Sequence, residues 1–247
     1  MAGLPRRLER VPFLLPLVLV ASFPGIVRAQ ARIDPSLPEA PLPQSARFTI
    51  FPAYEAVEHT RGRVPPLTSR QKFEIVYLKV FAPALPIDAL FVSGFDQATN
   101  LGPAYGSEWG GFGKRFGYNA ANCATKPLFA IGIVPAIVYQ DPRYFRLGER
   151  SGMAKRIRWI LLSQVATFGD RGAPMPNYGK LIGYGASTAL SNAYMPARSI
   201  SFPNDMKGYG IKFGVSIAVD AVHEFDLARW AYKHSGGRLP NPASSGQ

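Results

Sequence analysis

Asp220, His223 and Glu224 fall three and four residues apart, so a helix would carry them on neighbouring turns of one face. Two carboxylates and an imidazole at that spacing can share a metal ion or relay a proton. His223-Glu224 begins like a zinc-protease helix, but Leu227 stands where the second histidine must be. Ser69 and Lys72 match a Ser-x-x-Lys nucleophile pair, yet no Ser-Asp-Asn or Lys-Thr-Gly follows. Thr68 with Gln71 reads instead as a capping box opening a helix. The only histidines are His59, His223 and His234, and the chain holds no Gly-x-Ser-x-Gly elbow, phosphate loop or Cys-x-x-Cys pair. No catalytic residue, cofactor or metal is therefore assigned. Asp141, Asp220, His223 and Glu224 are kept as a candidate polar site, which would make the chain a ligand- or metal-binding module or an enzyme.

A second constellation is basic and aromatic. In Gln140 to Arg146, QDPRYFR, Asp141 before Pro142 signals a turn or helix start. Arg143, Tyr144 and Arg146 then alternate charge with an amphipathic ring, as membrane-interface anchors do. Lys155, Arg156 and Arg158 crowd the first turns of the next helix, where positive charge opposes the helix dipole and invites an anionic partner. These six residues are the expected contacts to a membrane or another anionic surface.

The elements that would position them are read from caps and periodicity. Helices are expected from Thr68 to about Val80, from Ile87 to Ala98, from Ser107 to Leu128, from Ser151 to Thr167, from Asn177 to Met195 and from about Asn204 to the Lys233–Gly237 region. Three of them share an aromatic-Gly-x-x-apolar-Gly stretch beginning at Phe112, Tyr178 and Tyr209. Gly113 with Gly117, Gly179 with Gly183, and Gly210 with Gly214 thus form rows of small residues. Such rows let two helix backbones approach closely, in lipid especially. The apolar run from Pro127 to Tyr139 is 13 residues, shorter than the roughly 20 that span a bilayer, and suits a buried or interfacial piece. From Ile211 to Asp220 apolar residues also alternate strictly, the signature of a membrane strand, so a small outer-membrane β-barrel is the alternative fold.

The formal charge is +12, and hydrophobic content is 47% against 18% charged, low in charge for a soluble domain. Arg6, Arg7 and Arg10 precede an apolar stretch that closes on Val27-Arg28-Ala29, so residues 1–29 read as a secretory signal peptide. Residues 30–66 are a Pro-rich linker in which Phe48, Ile50 and Phe51 are expected to make a short strand or to dock on the body, 67–235 the helical domain, and 236–247 a disordered tail. The single Cys123 cannot form an internal disulfide. A basic exported chain is expected to meet membrane lipids, another envelope protein or a second copy of itself, and not nucleic acid.

At QDPRYFR and at NYGKLIGYGASTALSNAYMP, Asn177 to Pro196, the chain resembles an uncharacterised family of exported bacterial proteins with a DPRYF segment and glycine-rich helices. The resemblance implies a helical exported protein and carries no mechanism. The expected fold is all-α, with five to six glycine-rich helices packed after the signal peptide and linker. The expected role is that of a cell-envelope protein, periplasmic or in the outer membrane, structural or interacting, and not an enzyme.

Overall fold

The computed structural model describes Ile33, Ser36, Leu37 and residues 56–58, 64–99, 105–106 and 108–226. The signal peptide, most of the linker, the short strand or docking piece expected at Phe48 to Phe51, His59, His234 and the tail lie outside these residues. The fold is all-α, with six helices and four short strands among the described residues.

Helix α1, Ser69–Val80, opens on the capping box foreseen at Thr68: its side chain accepts from Gln71 N, and Gln71 reaches back to Thr68 N. A short break at Phe81–Pro83 turns the chain into α2, Ala84–Thr99, with Pro86 in the first turn, where its missing N–H costs nothing. Helix α3, Trp109–Pro127, does not stop at Pro127. It runs on through a π-helical stretch, Leu128–Ile133, and a last turn, Val134–Ile137, giving one continuous rod of 29 residues. The wider π-turn accommodates the missing proline donor, so the run expected to be too short to span is part of a longer element. Tyr139, at φ 54°, ends the rod in the left-handed conformation.

QDPRYFR is neither a helix start nor a surface loop. Tyr144–Arg146 is strand β2, which pairs in parallel with β1, Ala56–Glu58, setting Val57 opposite Phe145. Helix α4, Met153–Leu162, is shorter than expected. Its continuation turns into β3, Ala166–Phe168, which pairs antiparallel with β4, Pro174–Pro176. Helix α5, Tyr178–Ser191, is capped by Asn177, whose side chain accepts from Lys180 N. Helix α6, Phe202–Phe225, starts at the Ser201 cap and ends at Asp226, in the left-handed conformation at φ 52°. Residues Ile211 to Asp220 are helical throughout, which overturns the β-barrel alternative. Helical spacing continues to Phe225, whereas the two-residue alternation stops at Asp220. One apolar cluster gathers Val57, Tyr144, Phe145, Trp159, Ile160 and Phe168, so the strand at DPRYF sits at the centre of the core.

Candidate functional site

The DPRYF segment is held by ion pairs and not by solvent. Arg143 grips the fully buried Asp141 through both carboxylate oxygens (Nη2–Oδ2 2.6 Å, Nε–Oδ1 3.0 Å) and donates to the Pro65 carbonyl at 2.9 Å. Tyr144 is buried and donates its hydroxyl to Glu224 at 3.0 Å. Glu224 accepts further from Leu147 N, Gly148 N and Arg156 Nε at 3.0, 3.2 and 2.9 Å, and Arg156 also donates to the Glu224 main-chain carbonyl. The Arg156 guanidinium stacks on Phe225. Arg146 pairs with Asp226 at 3.7 Å. Of the six expected surface contacts, Arg143, Tyr144, Arg146 and Arg156 therefore turn inward, and only Lys155 and Arg158 are exposed. Arg156 on α4 finds the buried carboxylate of a distant element, α6, and local spacing carries no sign of that.

Asp220 lies one turn before Glu224 and serves a different network. Its Oδ2 accepts from Lys180 Nζ at 2.6 Å, Gln164 Nε2 at 2.8 Å and Ser163 Oγ at 2.9 Å. Burial holds the Lys180 ammonium below its ordinary pKa, although Asp220 opposes the shift. Burial, with Glu224 beside it, pushes the Tyr144 phenol above its usual range. Asp141, Asp220 and Glu224 thus belong to three separate ion pairs. His223 lies between the last two and lines a neighbouring cavity. Among the described residues no three His, Cys, Asp or Glu side chains are placed to hold one metal ion.

Lys72 of the Ser-x-x-Lys match is also engaged, donating to Asp170 at 2.7 Å and to the Pro135 carbonyl at 3.2 Å. Ser69 is exposed on the first turn. Burial raises the pKa of Asp170 despite the lysine beside it.

The QDPRYFR and NYGKLIGYGASTALSNAYMP segments clasp one another. Gln140 Nε2 donates to Asn177 Oδ1 at 3.0 Å, Gln140 Oε1 accepts from Gly179 N at 2.9 Å, and Asn177 Nδ2 donates to the Ser163 carbonyl at 2.8 Å. Gln140, Gln164 and Lys180 fall outside the candidate polar site that the spacing of Asp220, His223 and Glu224 suggests. The one local sign was that Asn177 caps a helix whose third residue is a lysine.

Only one glycine row forms a seam. A Cβ on Gly179 would stand 2.5 Å from the Ala130 carbonyl oxygen, and one on Gly183 would stand 2.7 Å from Ala130 Cα. Here α5 packs backbone to backbone on the π-helical stretch. At Gly113, Gly117, Gly210 and Gly214 an added Cβ meets nothing within 4 Å, so those rows are not close-packing surfaces. The close contact on α3 falls on Gly111, outside the row, against the Gly106 carbonyl.

Helices α2 and α3 meet through polar groups. Asn119 donates to Ser93 Oγ at 3.1 Å and to Asp96 at 3.0 Å. The buried residues of α2 are Ala89 and Ser93, and those of α3 are Gly111, Arg115, Asn119 and Pro127. Facing outward on α2 are Ile87, Leu90, Phe91 and Phe95, with Phe91 77% exposed, and Phe81 and Trp109 extend the apolar surface. A cavity of about 650 Å³ lies beside this pair, reaching from α2 to Asp220 and His223 on α6. Comparison with known protein families, with curated proteins and with solved structures finds no match.

Lys212 on α6 donates to Thr188 at 2.8 Å, and burial, with Lys126 adding repulsion, lowers its pKa to about 8. A lysine depressed by folding loses its proton earlier in the native state. Between pH 8 and 10.5 the unfolded chain binds more protons, so this group adds stability as pH rises. Lys212→Met is expected to raise stability at pH 7 by roughly 1–3 kcal/mol and to flatten the rise above pH 8. Thermal unfolding of both proteins across that range checks it, and a Met variant less stable at pH 7 would contradict it.

Proposed function

We propose that the chain is an exported cell-envelope protein, integrated in a membrane through α1–α3, with a structural or interaction role. The reversed polarity of α2 carries this reading. The interface it shares with α3 is polar and small, and its outer face is large and apolar. Water selects the opposite arrangement, and soluble monomers rarely expose contiguous apolar patches beyond a few hundred Å². Lipid selects the one observed, because small and hydrogen-bonding residues hold helices together there.

Length supports it. The rod Trp109–Ile137 is long and apolar enough to cross a membrane, and only 22% of its most apolar stretch is buried. A soluble core helix would be mostly buried. At 1.5 Å per residue 29 residues extend about 43 Å, more than the ~30 Å hydrocarbon core. Helices α1 and α2 pass the same test together, bent by 59°. The resemblance at Gln140 to Arg146 and Asn177 to Pro196 agrees with export. Membrane pelleting after an alkaline carbonate wash is the expected result, and full release into the wash would refute integration.

Helix α4 then lies at the interface. Met153, Ile157 and Leu161 form an exposed row at four-residue spacing, flanked by exposed Lys155 and Arg158, with no acidic residue on the helix. Replacing Lys155 and Arg158 together by Gln is expected to weaken binding to anionic vesicles about fivefold to thirtyfold, at ~1 kcal/mol per basic residue. The same variant should bind neutral vesicles as the parent does. Equal binding to anionic vesicles would remove α4 from the interface.

A further inference from the structure

We propose that the cavity between α2 and α6 holds one uncharged single-chain lipid, its hydroxyl or carbonyl end on Thr167 and its hydrocarbon chain against α2. The inference rests on the membrane reading, which sets the outer face of α2 among acyl chains.

The cavity offers room for a chain and a place for one neutral polar group. Its volume of about 650 Å³ falls within the range of small-molecule sites. Ile75 and Leu85 on the α1–α2 side and Ile131, Val215 and Val219 opposite give it apolar walls. Ile87, Phe91 and Val92 line it and are also exposed on the outer face of α2, so it opens sideways toward acyl chains. Its buried end is lined by Trp159, Phe168 and, between two core positions of β3, Thr167. Thr167 is 8% exposed, and among the described residues no hydrogen bond holds its hydroxyl. Buried hydroxyls are ordinarily satisfied, and a ligand hydroxyl or carbonyl would supply the partner.

The charged groups on its surface are already engaged, which selects against a charged head. Arg143 holds Asp141, and Lys180 holds Asp220. Lys126 lies over the Tyr184 ring, and Lys79, Asp88 and His223 have partners of their own. A carboxylate or phosphate brought in here would find no counterion waiting, and a charge buried without one is costly. Depth argues the same way. The rod lines the cavity with Cys123, at its midpoint, and with Ala130 and Ile131 beyond it. At that level a bilayer offers hydrocarbon chains and uncharged lipids, since head groups lie outside the hydrocarbon core.

The test is the retention of monoolein, an uncharged single-chain lipid, added to full-length protein in a mild non-ionic detergent and measured by mass spectrometry after gel filtration. About one monoolein per chain is expected, and far less oleoyl lysophosphatidylglycerol, which carries the same chain on an anionic head. Val219→Trp and, from the opposite wall, Leu85→Trp should each fill the cavity and lower retention about fivefold or more with unchanged helix content. Thr167→Val keeps the side-chain shape. It should weaken monoolein retention about twofold to tenfold, the range for one neutral hydrogen bond, and leave the retention of octadecene unchanged. Equal monoolein retention in the parent and whichever Trp variant folds overturns the proposal. So does a parent that takes no monoolein or prefers the anionic lipid, and so does a Thr167→Val protein that holds monoolein as the parent does. Carbonate release of the parent would refute the membrane reading separately, because lipid retention is read on purified protein.

Discussion

Glu224→Gln is expected to lower stability by about 3–5 kcal/mol, the range for breaking one partner out of a buried ion pair. The carboxylate is fully buried and accepts from four donors of different elements: Tyr144 Oη and Leu147 N around β2, Gly148 N beyond it, and Arg156 Nε on α4. Glutamine has nearly the same shape, so the cost is electrostatic. Its amide nitrogen would point hydrogens at groups that are themselves donors, and Arg156 would keep a buried charge with no counterion. The fall in melting temperature should be roughly 10 °C for a domain of this size. Adding Arg156→Met to the variant should recover part of the loss, since the stranded charge is then gone. A Glu224→Gln variant melting within 2 °C of the parent would show that the pair does not hold β2 to α4 and α6.

Helix caps were legible in the sequence because they act over three or four residues. Thr68 with Gln71, and Asn177 before Tyr178, place α1 and α5 where they are found. The direction a polar residue faces was not legible. Arg143 and Arg156 have the composition of a surface anchor, but each meets a buried carboxylate, and Tyr144 lies 80 positions from Glu224. The same holds for the candidate site. Asp220 and Glu224 share a helix face, and their partners come from α5 on one side and from α4 and β2 on the other. Spacing along one helix reveals shared faces, and only the packing of other helices decides which charges are paired. The rod through Pro127 was misread for a related reason. A proline predicts loss of one hydrogen bond, and the chain recovers helix by widening the next turn.

The glycine rows lead to the second large effect. Gly183→Val should cost about 3 kcal/mol, the upper end for overpacking, because the new Cβ would sit 2.7 Å from a backbone atom, Ala130 Cα, that no rotamer change can move. Gly183→Ala meets the same atom and should lose somewhat less, since alanine returns roughly 1 kcal/mol of helix propensity. Gly117→Ala and Gly214→Ala meet nothing within 4 Å and should each gain up to about 1 kcal/mol. Three rows with one spacing thus predict opposite signs, which composition and motif alone cannot produce. Thermal unfolding of the four variants in detergent checks this. A Gly183→Val protein as stable as the parent would mean that α5 and the π-helical stretch separate freely. Equal losses at Gly117, Gly183 and Gly214 would mean that all three rows pack against a partner. A second copy of the chain seated on α3 and α6 would then be the occupant to seek by crosslinking.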